Sequence, residues 1–213
     1  LVYHGVDLAR FAPPAAPRAT TGTPVILSVG RAVEKKGFDD LLAALAALPP
    51  ALDWRFVHVG GGPLLPALAR QAAQGGIAAR LEWRGALPQD EVLRLYREAD
   101  LFVLPSRVAG NGDRDGLPNV LMEAQSQGVT CVSTRVSGIP ELIVDGETGV
   151  LVPPNDAPAL AHAIETLLAD PGARARLGEA GRQRVAAHFS HAGGIGRLAV
   201  KFGLPCASPS TRR

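Results

Sequence analysis

Cysteine is almost missing from this chain: two occur in 213 residues, Cys131 in the strand-like run Val129-Thr130-Cys131-Val132-Ser133 and Cys206 in a polar C-terminal stretch. Two thiols in such unlike settings supply neither a disulfide framework nor a metal cluster, and a reducing cytoplasm is the simplest compartment. No apolar run reaches the roughly 18 residues that cross a bilayer, so no membrane-spanning segment is expected. No signal peptide opens the chain, and Leu1-Val2-Tyr3-His4 reads as the middle of something longer. The net charge is only +2, with no Lys/Arg block or basic stripe interleaved with aromatics, which sets nucleic acid aside. A dinucleotide fingerprint is lacking too: Gly60-Gly61-Gly62-Pro63 is not G-x-G-x-x-G and reads as a tight turn before a helix. What is present is apolar content of 46%, enough for one domain with a full core.

Apolar runs and helical patterns alternate along the chain. Strands are expected at Val25–Val29, Arg55–Val59, Leu81–Arg84, Leu101–Leu104, Thr130–Ser133 and Gly149–Val152. Helices are expected between them, at Asp39–Leu48, Leu64–Gln74, Gln89–Ala99, Pro118–Gln127 and Ile139–Val144. Two more follow, from Asn155-Asp156 to Ala169 and, with Asp170 as N-cap and Pro171 at the first position, to about His188. This order predicts a Rossmann-like α/β fold, a doubly wound parallel sheet of about six strands with helices on both faces. Residues 1–24 read as a linker remnant and irregular lead-in, 25–189 as the working domain, and 190–213 as a C-terminal tail in which helical signal fades.

The chemistry-bearing residues fall into two groups. In Asp115-Gly116-Leu117-Pro118-Asn119-Val120-Leu121-Met122-Glu123, two carboxylates stand eight positions apart across a loop-to-helix junction. Pro118 suits the first helical turn, and a helix N-terminus favours phosphate through its free N–H groups and dipole. An acid on each side of an anion site fits a ligand with phosphate in the middle and hydroxyl-bearing rings at both ends, such as a nucleotide sugar. The second group is Gly30-Arg31 and Lys36-Gly37, at the outlet of the first strand. Open α/β sheets bind ligands beyond the carboxyl ends of their strands. Two unit charges about 4 Å apart interact by roughly 4 kcal/mol at an effective dielectric near 20, so Arg31 and Lys36 together can hold a diphosphate without a metal. No essential metal is expected.

These segments resemble the donor-binding half of a retaining glycosyltransferase of family 4, the glycosyl transferases group 1, with the two-domain GT-B architecture. The resemblance runs from His4-Gly5-Val6-Asp7 to about Phe189. It rests on Gly30-Arg31, Lys36-Gly37 and the Asp115/Glu123 pair, with Ala99–Ser106, Ser137–Ile143 and Asp145–Val152 in the same order. The resemblance implies that Arg31 and Lys36 contact the donor diphosphate, that Glu123 hydrogen-bonds the ribose and that Asp115 faces the transferred sugar. It also implies that the backbone amides of Gly116, Leu117 and Asn119 meet the phosphates, Pro118 having none to give. The family usually has Glu where this chain has Asp115, one methylene shorter, and often Gly-Phe-Gly where it has Gly116-Leu117-Pro118. The Gly-Leu-Pro form looks like members that assemble exopolysaccharide. The resemblance further implies same-face substitution with the departing diphosphate as base, no residue being a convincing covalent nucleophile. An N-terminal acceptor domain, presenting an acceptor glycan or lipid-linked sugar, is expected outside this chain, so that the chain alone binds donor without transferring it. In the full-length protein the enzyme is expected in the cytoplasm, with peripheral membrane attachment open.

Each residue also has a plainer reading. Asp115 can be a turn residue of an Asp-Gly pair. Arg31 can pair with Asp39 or Asp40, and Lys36 can be one of two exposed lysines. Glu123 can be a solvated helix carboxylate, although its apolar neighbours demand a partner for a buried charge. His4 and His58 read as structural, Pro140-Glu141 as a helix start, and Arg107–Arg114 as either a loop that moves over the sugar or a plain surface loop. Two other functions stay open: a non-catalytic sugar-nucleotide binding module, and a dehydrogenase-type dinucleotide domain, which lacks its glycine fingerprint.

Overall fold

Six short strands, most of them rich in aliphatic and β-branched residues, form the sheet in the computed structural model, which describes residues 3–12 and 22–204. They are β1 Val25–Val29, β2 Arg55–Val59, β3 Leu81–Trp83, β4 Leu101–Leu104, β5 Thr130–Thr134 and β6 Val150–Val152. All neighbouring strands are parallel, in the order β3-β2-β1-β4-β5-β6. The chain winds outward from β1 to β3, returns to β4 on the other side of β1, and winds outward again. β1 and β4, paired through Ile26 with Leu101 and Leu27 with Phe102, therefore flank the switch in winding direction. Loops diverge at such a point and leave a crevice for ligand. The expected Rossmann-like sheet is the one observed.

The inner strands β1, β4 and β5 are buried on both faces because helices cover both, while β3 at the sheet edge is only half-buried. Leu101, Phe102, Val103 and Leu104 have no exposed surface at all, as a central parallel strand requires. The helices are α1 Phe38–Ala46, α2 Leu65–Gln74, α3 Gln89–Glu98, α4 Asn119–Ser126, α5 Ile139–Leu142, α6 Ala157–Ala169, α7 Pro171–His188 and α8 His191–Lys201. In α1 the buried side chains Phe38, Leu41, Leu42 and Leu45 repeat at helical spacing and form one stripe against the sheet. The side chains of Asp156 and Asp170 accept from the amides of Ala159 and Ala173, starting α6 and α7.

Three local expectations change. Pro118 does not enter α4: its backbone is extended, ψ 123°, and it is the N-cap, its carbonyl accepting from Leu121 N. The stretch after Ser190, read as a tail, continues as α8. Gly193, Gly194 and Gly196 lower its intrinsic propensity. Ser190 nevertheless caps it through Gly193 N, and the N-terminal segment packs on its start. Val6 and Ser190 form a bridge, with Val6 N donating to Phe189 O and His191 N to Val6 O, and Tyr3 packs on Phe189 at 4.7 Å between ring centroids. Residues 3–12, read as a linker remnant, are thereby built into the body, with Phe11 buried and its carbonyl accepting from Gln127 Nε2. Residues 13–21 of the irregular connection and 205–213 of the tail, Cys206 included, lie outside the described residues.

Candidate functional site

The loop leaving β1 carries the first cations. Past Gly30 and Arg31 the chain makes a 3-10 turn, Glu34–Lys36, that ends on Gly37. Gly37 has φ 65°, and a Cβ there would lie 2.1 Å from the Pro105 carbonyl oxygen. Glycine alone satisfies both the left-handed backbone and this close approach, so the turn seats directly against the outlet of β4. Gly60, at φ 141°, likewise brings the loop after β2 against Gly30: a Cβ would lie 2.0 Å from Gly30 O. The glycine cluster read as a tight turn thus packs against the loop after β1.

That seating brings the loops after β1 and β4 together. Asp115 Oδ2 lies 2.7 Å from Lys36 Nζ, and Asp115 Oδ1 lies 3.4 Å from Lys35 Nζ. Lys35 also reaches Asp113 Oδ1 at 3.1 Å. The hydrogen bond to Asp113 raises the Lys35 ammonium above its ordinary pKa, with the Asp115 charge adding to it. The Asp115–Lys36 pair is mostly shielded, the side chains retaining 16% and 13% exposure. Directly after Asp115, the amides of Gly116, Leu117, Asn119 and Val120 donate to no backbone carbonyl among the described residues. The Gly116 carbonyl accepts from Gly138 N at 2.9 Å and fixes the loop to the start of α5. The head of α4 therefore presents free donors beside Lys36, an arrangement suited to phosphate oxygens.

Arg31 is exposed and makes no ion pair or side-chain hydrogen bond with any described residue. Its anticipated structural partners are taken by a residue the sequence did not single out. Arg107 Nη1 lies 2.9 Å from Asp39 Oδ2 and 3.1 Å from Asp40 Oδ2, while its Nε donates to Glu34 O and its backbone N–H to Lys35 O. Gly110 N donates to Glu34 Oε1. The loop 107–115 is thus stapled to the 3-10 turn and the first turn of α1, which answers the reading of it as a plain flexible loop.

Glu123 sits apart from the lysine cluster, with a partner of its own. The Tyr96 hydroxyl donates to Glu123 Oε2 at 3.0 Å. Burial raises the Glu123 carboxyl above the usual carboxylate range, opposed by the Tyr96 hydrogen bond and the charge of Arg10. It is not a freely solvated acid, and Tyr96 lies on α3, away from any motif that would mark it in the sequence. At the head of α4, His4 Nε2 lies 2.5 Å from Asn119 Oδ1. Glu141 accepts from the Tyr3 hydroxyl, so its carboxylate ties down the N-terminal segment. His58 is 1% exposed among Phe38, Phe56 and Trp83, and burial lowers its pKa to about 4. A neutral core imidazole of this kind is a poor general base, as its place in a strand suggested. Cys131 is a buried free thiol whose pKa burial raises. Among the described residues no cluster of three or more His, Cys, Asp or Glu is arranged to hold a metal ion, and no helix is long and apolar enough to cross a membrane.

Known proteins resemble this chain in sequence and in fold. The GDP-mannose-dependent alpha-(1-6)-phosphatidylinositol monomannoside mannosyltransferase of Mycolicibacterium smegmatis is 38% identical over 187 residues, covering 84% of this chain and 49% of that protein. The lipopolysaccharide core biosynthesis glycosyltransferase LpsE of Rhizobium meliloti is 35% identical over 185 residues, 87% of this chain and 49% of its own length. The chain thus spans about half the length of the curated relatives it matches. Among solved structures, sucrose-phosphate synthase from Thermosynechococcus elongatus superposes with a TM-score of 0.80 at 28% identity, over 95% of this chain and 52% of that one. The profile of the family described as "Glycosyl transferases group 1" matches residues 13–184, from the lead-in to α7. With most of its length matched, and with relatives above 30% identity, this chain belongs to the glycosyl transferases group 1 family.

Proposed function

We propose that this chain is the donor-binding half of a retaining, metal-independent glycosyltransferase that takes a nucleotide-diphosphate sugar. The carrying observation is the meeting of Lys36 and Asp115 at 2.7 Å, beside the free amides at the head of α4 and at the switch between β1 and β4. In this reading Arg31 and Lys36 take the diphosphate together with the amides of Gly116, Leu117 and Asn119. Asp115 faces the sugar, and Glu123 accepts from the ribose. As the bond from anomeric carbon to phosphate oxygen lengthens, negative charge grows on the diphosphate. Donors already aimed at it stabilise that charge without reorganising, and the two side-chain cations supply what a metal would otherwise provide. The acceptor hydroxyl attacks from the face the diphosphate is leaving and passes its proton to a diphosphate oxygen, so configuration is retained. The acceptor, a glycan or a lipid-linked sugar, is presented by a further domain. The names of the two relatives favour a role in glycolipid or lipopolysaccharide assembly.

Thermal unfolding with UDP, GDP, ADP and NAD tests this. A nucleoside diphosphate at 100 times its dissociation constant stabilises the fold by about 2.7 kcal/mol, and NAD does not. Arg31→Ala lowers that affinity about tenfold or more, the loss of a charge-assisted contact. Stabilisation by NAD alone, or undiminished affinity in Arg31→Ala, overturns the assignment.

A further inference from the structure

Lys35 lies outside the diphosphate clamp, yet it touches the acid of the site. On the reading above, Lys36 has two claimants: the Asp115 carboxylate that it holds at 2.7 Å and a donor phosphate oxygen. When phosphate arrives, Lys36 divides its N–H donors or turns away from Asp115. Asp115 has one methylene fewer than Glu and cannot follow far. Its other cation is Lys35, 3.4 Å from Oδ1. Lys35 itself is anchored. Asp113 holds its ammonium at 3.1 Å, Arg107 N donates to its carbonyl, and Arg107 Nε and Gly110 N fasten the adjacent Glu34.

We propose that Lys35 is a positioning residue for the transferred sugar, holding the Asp115 carboxylate in place when Lys36 engages the donor diphosphate. It touches neither phosphate nor sugar. It keeps the shortened acid aimed at the sugar hydroxyls, which compensates for Asp in place of Glu. This inference rests on the donor-site reading, and its consequence is a selective one: Lys35 governs recognition of the sugar and not of the nucleotide.

Isothermal titration of the chain with UDP, UDP-glucose, GDP and GDP-mannose separates the two. The informative quantity is the ratio of dissociation constants, sugar nucleotide over parent diphosphate, for whichever base binds. Lys35→Ala raises that ratio about tenfold while the diphosphate alone binds within about twofold of wild type. Lys35→Arg restores the ratio, because a guanidinium reaches the same carboxylate. An unchanged ratio in Lys35→Ala overturns the proposal, and so does equal weakening of diphosphate and sugar nucleotide, which makes Lys35 a phosphate ligand. If Lys35→Ala does not fold, the comparison of Lys35→Gln with Lys35→Arg carries the same test. A wild-type chain that binds none of the four probes removes the donor-site reading and this proposal together; wild-type binding with an unchanged ratio removes this proposal alone.

Discussion

Glu123, which the proposed function sets against the donor ribose, is costly to the fold. Burial opposes its ionisation, and the Tyr96 hydroxyl and the Arg10 charge offset only part of that cost. Replacing it by Gln removes the charge while retaining an oxygen that accepts from Tyr96. Glu123→Gln is therefore expected to keep or slightly raise stability at pH 7, within about 1 kcal/mol, while weakening nucleoside diphosphate binding about five- to twentyfold through the lost charged acceptor for ribose. The pH dependence follows from the raised pKa. As pH falls through it toward the ordinary value of 4.5, the folded state takes up a proton before the unfolded chain does, and the burial cost disappears. Any stability advantage of Glu123→Gln therefore closes below that window, which urea denaturation at pH 7 and pH 4.5 measures. That Glu123 needs a partner was legible in its apolar neighbours. That the partner is Tyr96 was not, because 27 residues and a strand separate them.

At the scale of elements, one staple fastens the loop after β4 to the loop after β1. Arg107 joins the loop after β4 to the 3-10 turn and to the two acids in the first turn of α1. Those acids sit favourably at a helix N-terminus, but burial and mutual repulsion hold Asp40 above its ordinary carboxylate pKa, and Arg107 relieves this. Arg107→Ala is expected to cost about 1–3 kcal/mol, discounted for the exposure of Asp39, and to speed amide exchange at Ala109, Gly110 and Asp113. Unchanged exchange at those amides rules out the staple. Strand positions were readable to within a residue or two, since β1, β2, β4 and β6 are short, largely apolar runs each followed directly by glycine or proline. The last helix was not readable. Its glycines argue against helix locally, and only Ser190 with the docked segment around Val6 gives the backbone groups of its first turn their partners.

For the molecule as a whole, acid stability turns on the buried imidazole. His58 is neutral in the fold with a pKa of about 4, against 6.5 in the unfolded chain. Between those values the unfolded state binds more protons, so stability falls as pH drops from 6.5 toward 4, by up to about 3 kcal/mol from this group. His58→Leu is expected to flatten that decline by about 2–3 kcal/mol at pH 4.5 relative to pH 7, read from denaturant midpoints. An equally steep decline in the variant would show that other groups control it.

Local pattern was sufficient for the order of strands and helices, the parallel sheet and the cations at the strand outlet. Periodicity and punctuation act over a few residues, and burial on both faces leaves little choice of sheet type. Charge neutralisation belongs to the tertiary structure. Arg107 reaches Asp39 across 68 positions and leaves Arg31 without a partner among the described residues, and a glycine seated on Pro105 O places both lysines on Asp115. Such pairings depend on where distant loops are held relative to one another, and the composition of neither loop contains that information.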